Sequence, residues 1–209
     1  APYDLDAVWG VRPWEGPEAL AAIARHDPMA HTEGFKTPTL VLHGEHQADN
    51  AAVALAAAEA FFDRPLDDTL VREAFAGVRN PGRVEVVHRE PLVVLDGAHN
   101  PQAMGAVQKF LESRIEGRRL IVVFGAMADK DLKRILAELR SLADKFLFTA
   151  PTLKRAVEPA RLAEIGSSLG MRSSVVPTVE KAVAVALKES RPDDVVLITG
   201  SLFVVGEAK

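Results

Sequence analysis

The sequence predicts an α/β fold with a Rossmann-like, doubly wound and mainly parallel sheet, and two observations support this prediction. From Pro91 onward, short continuous runs of β-branched and aromatic residues recur, as expected for strands that are buried on both faces of a sheet. Segments with the apolar spacing of helices lie between these runs. Parallel neighbours need such crossover helices, so the alternation predicts a parallel sheet with helices on both faces.

Five strands and four crossover helices are expected in this region. The predicted strands are LVVL (92–95), LIVVF (120–124), FLFT (146–149), SVV (174–176) and VVLIT (195–199). The clearest helix covers 131–143, where apolar side chains recur at the i, i+3, i+4, i+7 spacing, and weaker stripes run over 104–111 and 179–190.

The first 90 residues have a different pattern, and we place a domain boundary near residue 91. They contain a predicted strand (37–44), an Ala-rich helix (48–62), a helix that starts at an acidic pair (67–78) and a strand next to the boundary (84–88). Residues 1–36 predict only a short helix near 17–25 and are otherwise unassigned.

Composition excludes several classes of protein. With 209 residues, 48% of them apolar, the chain can bury a sizeable core. A formal charge of −4 gives no basic field for nucleic acid or an anionic membrane, and the absence of cysteine excludes disulfides and thiol-bound metals. No apolar run approaches the roughly 20 residues that span a bilayer. We therefore expect a soluble, cytoplasmic and monomeric protein, and the start at Ala1 suggests that the chain is part of a longer one.

Polar residues follow several of the predicted strands, at the edge where parallel sheets bind ligands. Asp96 and His99 follow the first strand, Lys130 follows the second within DKD (129–131), and Ser201 follows the fifth. A carboxylate at Asp96 can accept a hydrogen bond from a sugar hydroxyl, and His99 can donate one to an anion. The pattern indicates a polar ligand edge.

Some of these residues also have a purely structural interpretation. Asn100 before Pro101 fits a helix N-cap, and DKD fits a solvated first turn whose acids favour the helix dipole. Asp96 and His99 together fit this interpretation less well, because a cap needs only one of them. A cation at Lys130 opposes the dipole unless an anionic ligand lies nearby.

The stretch HGEHQADN (43–50) is a second concentration of polar groups. Two histidines three residues apart suggest a metal site, but the pattern H-E-x-x-H is absent and no third ligand is suitably spaced, so no metal ligand is predicted. A turn at Gly44 with an N-cap at Asp49 is the alternative interpretation. The motifs G-x-x-x-x-G-K-[ST], G-x-G-x-x-G and G-x-S-x-G are all missing.

Five segments in order resemble the second half of the folylpolyglutamate synthase/dihydrofolate synthase family, relatives of the Mur ligases. The segments are LHGEHQADNAAVALAAAEAF, NPGRVEVV, VVLDGAHNPQAM, DKD and TGSLFVVGEA. The resemblance implies an amide ligase in which ATP phosphorylates a carboxylate of a folate or dihydropteroate and the amine of L-glutamate attacks the acyl phosphate. Residues 1–90 would then be the remnant of the central ATP-binding domain, and 91–209 the Rossmann-like C-terminal ligase domain.

The resemblance also implies roles for individual residues. Asn50 matches a residue near the adenine, Arg83 matches an arginine that reaches the ATP phosphates, and Asp96 matches the acid that binds the ribose. His99 matches a residue near the phosphates and is the candidate catalytic residue. In the wider ligase family, the positions of Lys130 and Ser201 help to hold the incoming amino acid, here glutamate.

One half of the family pattern is absent from this sequence. The missing half carries the phosphate loop, most of the Mg²⁺ ligands and most of the folate site, so we expect this chain alone to be inactive. Two alternatives stay open: a Mur-type amino-acid ligase with a non-folate acceptor, and a nucleotide-binding module without catalysis. None of these interpretations includes a nucleic-acid or membrane partner.

Overall fold

The computed structural model describes residues 45–78, 80–115 and 117–209, and these belong to two compact units. Residues 47–78 lie in the first unit, and the residues from 80 onward lie in the second together with 45–46. The predicted strand 37–44 and the predicted helix near 17–25 lie outside the described residues.

The described part of the first unit consists of two helices. Helix α1 covers Glu45–Phe62, and α2 covers Asp68–Gly77. Asp67 is the N-cap of α2, where its carboxylate accepts hydrogen bonds from the backbone N–H groups of Thr69 and Leu70 at 2.9 and 3.1 Å. The acidic pair therefore starts this helix as predicted. Because α1 begins at residue 45, Asp49 lies inside the helix and is not its N-cap.

The second unit is built on one six-stranded sheet with the order β1-β2-β6-β3-β4-β5. Its strands are β1 Glu85–Arg89, β2 Leu92–Leu95, β3 Leu120–Phe124, β4 Lys145–Phe148, β5 Ser173–Val175 and β6 Val195–Thr199. Its helices are α3 Pro101–Ile115, α4 Leu132–Leu139, α5 Pro159–Ser168, α6 Val179–Glu189 and α7 Leu202–Ala208. The pairs from β2 to β5 are parallel, and only β1 runs antiparallel to its neighbour.

The predicted doubly wound, mainly parallel sheet is confirmed. Each of the five predicted strands is present within one residue of its predicted limits. Strand β1 pairs with β2 in the same sheet, whereas from the sequence we place residues 84–88 before a boundary near residue 91. Contacts between residues divide the two units after Val78.

Two hydrophobic layers cover the two faces of the sheet. Successive strand residues point to opposite faces, so Val122 and Phe124 pack on the side of α3, α4 and α5. Ile121 and Leu147 pack on the other side with α6 and α7. Every residue of β3 and β6 is buried. These two central strands are therefore continuous apolar runs without alternation.

Charge holds the amino ends of the two central strands together. The guanidinium of Arg119 lies 2.6 Å from the carboxylate of Asp194, which also accepts a hydrogen bond from the backbone N–H of Arg191 at 2.8 Å. Burial disfavours the ionised form of Asp194, but the bonds from Arg119 and Arg191 outweigh it and hold its pKa below the ordinary value. This ion pair lies at the end of the sheet opposite the polar edge.

Candidate functional site

The loops that follow β3, β4 and β6 meet through backbone contacts at the carboxyl edge of the sheet. A Cβ atom on Gly200 would lie 2.5 Å from the carbonyl oxygen of Gly125, and one on Gly125 would lie 2.7 Å from that of Thr149. Gly200 also has a φ of +98°, which side-chain-bearing residues rarely adopt. Glycine is therefore required where these loops come together.

Asp96 joins the loop after β2 to the turn that precedes β1. Its Oδ2 accepts a hydrogen bond from the backbone N–H of Val84 at 2.8 Å, and its Oδ1 accepts one from Ala98 at 2.7 Å. The residue is only 2% exposed. A carboxylate oxygen can accept two hydrogen bonds, so this structural role and a bond to a sugar hydroxyl are compatible.

Gly97 connects the same turn to His99. Its N–H donates to the carbonyl oxygen of Gly82 at 2.8 Å, and its own carbonyl oxygen accepts from Nδ1 of His99 at 2.9 Å. Because a carbonyl can only accept, Nδ1 carries a proton, and Nε2 is the ring nitrogen that is left to contact a ligand. A Cβ on Gly97 would lie 2.4 Å from Leu202, so no larger residue fits without displacing that side chain.

Arg83 lies within the turn that Asp96 and Gly97 hold. Its N–H donates to the carbonyl oxygen of Asn80 at 3.2 Å, and its side chain is half-buried. The residues on either side have positive φ angles, +72° at Gly82 and +48° at Val84. Such an angle is strained for a β-branched residue, and the bond from Val84 to Asp96 helps to maintain it.

Glu85 supports this turn although the sequence gives no signal for it. Its carboxylate accepts a hydrogen bond from the N–H of Gly82 at 2.7 Å and from Lys209 at 2.9 Å. The bond from Lys209 is the main cause that lowers the pKa of Glu85; burial opposes it, and the weaker effect of the Gly82 bond adds to the lowering. The sequence alone does not show whether a glutamate in a predicted strand supports a turn or is only solvated. Here the decisive contact is with Lys209, which only the fold brings close.

Lys130 lies at the end of the loop after β3, next to the N-cap of α4, and Ser201 is the N-cap of α7 after β6. The Nζ of Lys130 lies 2.9 Å from the carboxylate of Asp129, and this contact is the main cause that lowers the pKa of Asp129. Asp131 caps α4 by accepting from the N–H of Arg134 at 3.2 Å, so the helix-start interpretation is confirmed for this acid. Ser201 is buried, and its Oγ accepts from the N–H of Phe203 at 3.1 Å.

The loop after β4 brings Arg155 to the same edge, a residue that has no recognisable pattern in the sequence. The carbonyl oxygen of Arg155 accepts from the N–H of Ala128 at 3.0 Å, and Met127 and Ala156 form an antiparallel bridge. The guanidinium carbon of Arg155 lies 5.8 Å from the centre of the Phe203 ring.

Comparison with known proteins identifies the family of this chain. Residues 82–202, more than half of the chain, match the family model of the Mur ligase, glutamate ligase domain. A probable bifunctional folylpolyglutamate synthase/dihydropteroate synthase of Halobacterium salinarum is 40% identical over 193 residues, which are 92% of this chain and 22% of the relative. The chain belongs to the folylpolyglutamate synthase/dihydrofolate synthase branch of the Mur ligases.

Solved structures of Mur ligases of this branch share the fold. Folylpolyglutamate synthase of Mycobacterium tuberculosis, complexed with ADP and AMPPCP, superposes with a TM-score of 0.77 at 36% identity over 83% of this chain and 41% of its own. The bifunctional enzyme of Yersinia pestis, complexed with AMPPNP and a Mn ion, has a TM-score of 0.68 at 27% identity, over 78% and 38%. The chain thus spans less than half the length of each of these relatives.

The structure brings together three of the four residues predicted to bind the nucleotide. Arg83 lies in the turn before β1, and Asp96 and His99 lie in the loop after β2. Hydrogen bonds of Asp96 and Gly97 join this loop to the turn, and Gly97 also contacts His99. Asn50 is exposed on α1 and belongs to the first unit. Its place near the adenine stays a prediction.

Within residues 45–78, 80–115 and 117–209, no group of three or more His, Asp or Glu side chains is arranged to hold a metal ion. None of the helices in the same ranges is long and apolar enough to cross a membrane.

Proposed function

We propose that this chain is the carboxyl-terminal part of an ATP-dependent ligase that adds L-glutamate to a folate or a dihydropteroate. The observation that carries this proposal is the connected pair of loops at the carboxyl end of β2. There, Asp96 and Gly97 hold the turn of Arg83, and Gly97 also orients His99. These residues lie within the region that matches the glutamate ligase domain.

The proposed chemistry has two steps. ATP transfers its terminal phosphoryl group to a carboxylate of the folate, which gives an acyl phosphate and ADP. The neutral amine of glutamate then attacks the acyl carbon, phosphate leaves, and the nitrogen loses a proton as the amide forms. Phosphoryl transfer asks the protein mainly for positioning and for stabilisation of negative charge.

The residues predicted to bind ATP keep, in this proposal, the roles that the resemblance implies. The guanidinium of Arg83 pairs with phosphate oxygens in a fixed fork. His99 contacts a phosphate oxygen through Nε2, since Nδ1 is engaged by Gly97. Asp96 accepts from the ribose, and Asn50 contacts the adenine. Mg²⁺ would neutralise phosphate charge, with ligands supplied mostly by the part of the ligase that precedes this chain.

The domain assignment follows from the same proposal. In this proposal, residues 1–90 contribute the tail of the central ATP-binding domain, of which 1–36 have no assigned role, and 91–209 form the ligase domain, whose sheet is joined by β1 (Glu85–Arg89) from the preceding segment. The cytoplasmic location and the monomeric state expected from the sequence stay predictions.

Glutamate-dependent release of ADP tests the proposed function. The complete ligase should release ADP with glutamate and a dihydropteroate or tetrahydrofolate, whereas the 209-residue chain alone should show no measurable turnover. Arg83→Ala should lower kcat/KM for ATP by about 10- to 100-fold, because it removes charge-assisted bonds to phosphate. Arg89→Ala, which removes an exposed arginine of β1, is the matched control.

Three results would contradict the proposal. Strong activity of the isolated chain would show that the missing half is not needed. Activity of the complete ligase with UDP-linked acceptors, but with no folate or dihydropteroate, would favour the Mur-type alternative with a non-folate acceptor. ATP binding without any turnover would favour a nucleotide-binding module.

A further inference from the structure

We propose that Glu85 is a positioning residue for the ATP phosphates, because its carboxylate fixes the orientation of the turn that presents Arg83. This inference rests on the proposed ligase function and adds to it a residue that acts through Arg83. It comes from the way in which one side chain of β1 binds the peptide group at the centre of that turn.

Residues 80–83 form a type II β-turn. The N–H of Arg83 donates to the carbonyl oxygen of Asn80 at 3.2 Å, which closes the turn. Pro81 occupies the second position of the turn and Gly82 the third, where Gly82 has a φ of +72°. Because a proline fixes its own φ at about −65°, a positive φ at the next residue identifies type II among the common turn types.

The central peptide group of a β-turn is the group whose orientation differs between types I and II. Here it joins Pro81 to Gly82, and glycine adopts the φ values of both types readily. The N–H of this peptide group belongs to Gly82 and donates to the carboxylate of Glu85 at 2.7 Å. Type I would direct the N–H away from Glu85, so this bond favours the type II form.

The two peptide groups that follow are held by the loop after β2. The carbonyl oxygen of Gly82 accepts from the N–H of Gly97 at 2.8 Å, and the N–H of Val84 donates to Oδ2 of Asp96 at 2.8 Å. Together with the bond at the central peptide, these bonds fix the backbone on both sides of Arg83. They therefore set the direction of its Cα–Cβ bond, and none of them involves its guanidinium.

The ion pair of Glu85 with Lys209 is the weaker part of this arrangement. Nζ of Lys209 lies 2.8 Å from Oε2 of Glu85, but the two side chains are 40% and 30% exposed, so water and salt screen their attraction. Gly82 is buried, and a buried N–H that loses its acceptor costs more. We therefore expect the acceptor for Gly82, rather than the charge pair, to determine the position of Arg83.

The position of Arg83 matters because phosphoryl transfer depends on groups that are placed where negative charge develops. A displacement of about 1 Å can lower the rate by about 100-fold. If the central peptide turned over, the φ of Gly82 would change sign and the chain would enter Arg83 in a different direction. The guanidinium would then spend less time beside the phosphate oxygens.

The test compares Glu85→Ala with Glu90→Ala in the complete ligase. Glu90 is an exposed glutamate at the end of β1, so its variant removes the same charge from the same hairpin. We measure kcat and KM for ATP and for glutamate, and thermal unfolding verifies that each variant folds. Glu85→Val removes the same acceptor with a better strand former, and it replaces Glu85→Ala if the alanine variant does not fold.

We expect Glu85→Ala to lower kcat/KM for ATP by about 3- to 30-fold and to leave the KM for glutamate within about twofold. Amide hydrogen exchange at Gly82 should accelerate in the same variant. Glu85→Gln keeps a carbonyl oxygen for the N–H of Gly82 and should stay within about threefold of the wild type. Lys209→Met and Glu90→Ala should also stay within about threefold, because each removes only a screened charge.

A double-mutant cycle with Arg83→Ala separates positioning from a general structural role. If Glu85 acts through Arg83, Glu85→Ala should lower kcat/KM for ATP by less than about twofold in a ligase that already lacks the Arg83 side chain. A role limited to the stability of β1 predicts the same loss in both backgrounds.

The possible results separate this inference from the proposed function. Independent effects of the Glu85 and Arg83 substitutions, or equal effects of Glu85→Ala and Glu90→Ala, would overturn the inference and leave the ligase function standing. A complete ligase whose release of ADP does not depend on glutamate would overturn the proposed function and the inference with it.

Discussion

Asp96 shows how a single carboxylate can define the shape of a site. Both of its oxygens accept backbone N–H bonds, one from the turn before β1 and one from its own loop. The bond partner in the turn is Val84, whose backbone has a positive φ angle. An acid that follows a strand is a recognisable signal in the sequence, but its partner twelve residues earlier is not, because only the folded sheet brings the two together.

Replacing Asp96 with Asn should therefore destabilise the second unit in the absence of any ligand. The carbonyl oxygen of Asn can accept from one of the two backbone N–H groups, but its NH₂ group then faces the second N–H, which loses its acceptor. This loss should lower the free energy of unfolding by about 1–3 kcal/mol. Denaturant unfolding measures this loss, and amide hydrogen exchange at Val84 and Ala98 should accelerate. Asp193→Asn, at an exposed position, is the control. Equal stability of the two variants would contradict the structural role of Asp96.

At the scale of elements, the helix that follows the Asp96 loop begins as the sequence predicts. Oδ1 of Asn100 accepts from the N–H of Ala103 at 2.8 Å, and Pro101 occupies the first helical position. The cap was predictable because its residue types are local. The sequence predicts β1 as a strand but not its membership in the sheet, because that membership depends on pairing with β2.

Loss of this cap should weaken α3 without changing its contacts to the sheet. Asn100→Ala removes the side-chain acceptor for Ala103 and should cost about 0.5–2 kcal/mol. Asn100→Asp keeps an acceptor and should retain most of the stability. Urea denaturation of the three proteins compares these values. If Asn100→Asp lowered the free energy of unfolding as much as Asn100→Ala does, the bond from Ala103 to the side chain of residue 100 would contribute nothing to stability.

The sheet of the second unit is held at the amino ends of its central strands by the pair of Arg119 and Asp194. The folded-state pKa of Asp194 lies below its ordinary value of 3.8, so the unfolded chain takes up a proton first as the pH falls. The contribution of this pair is therefore present above about pH 4 and is lost below it.

Stability measured against pH tests this contribution. Asp194→Asn should lower the free energy of unfolding by roughly 1–2 kcal/mol at pH 7, a value reduced for screening because Arg119 is 38% exposed. The difference between variant and wild type should shrink as the pH falls below about 4, and the slope of stability against pH should be shallower in the variant. A difference that stays constant down to pH 2 would show that the ionised form of Asp194 is not the stabilising one.

The fold as a whole was predictable, whereas the site was predictable only in part. Continuous apolar runs such as LIVVF identify buried parallel strands, and the polar residues after them identify the ligand edge. Arg155 was not predictable, because a basic residue in an exposed loop has the same pattern whether or not it contacts a substrate. Its position depends on backbone pairing between two loops, which no spacing in the sequence encodes.

The way in which the Arg155 loop is attached separates the path of the loop from the identity of its side chains. The N–H of Ala128 donates to the carbonyl oxygen of Arg155, and the N–H of Val157 donates to that of Ala126, so the anchoring bonds involve backbone atoms only. The side chain at residue 155 can therefore be exchanged while the loop keeps its course across the edge of the sheet.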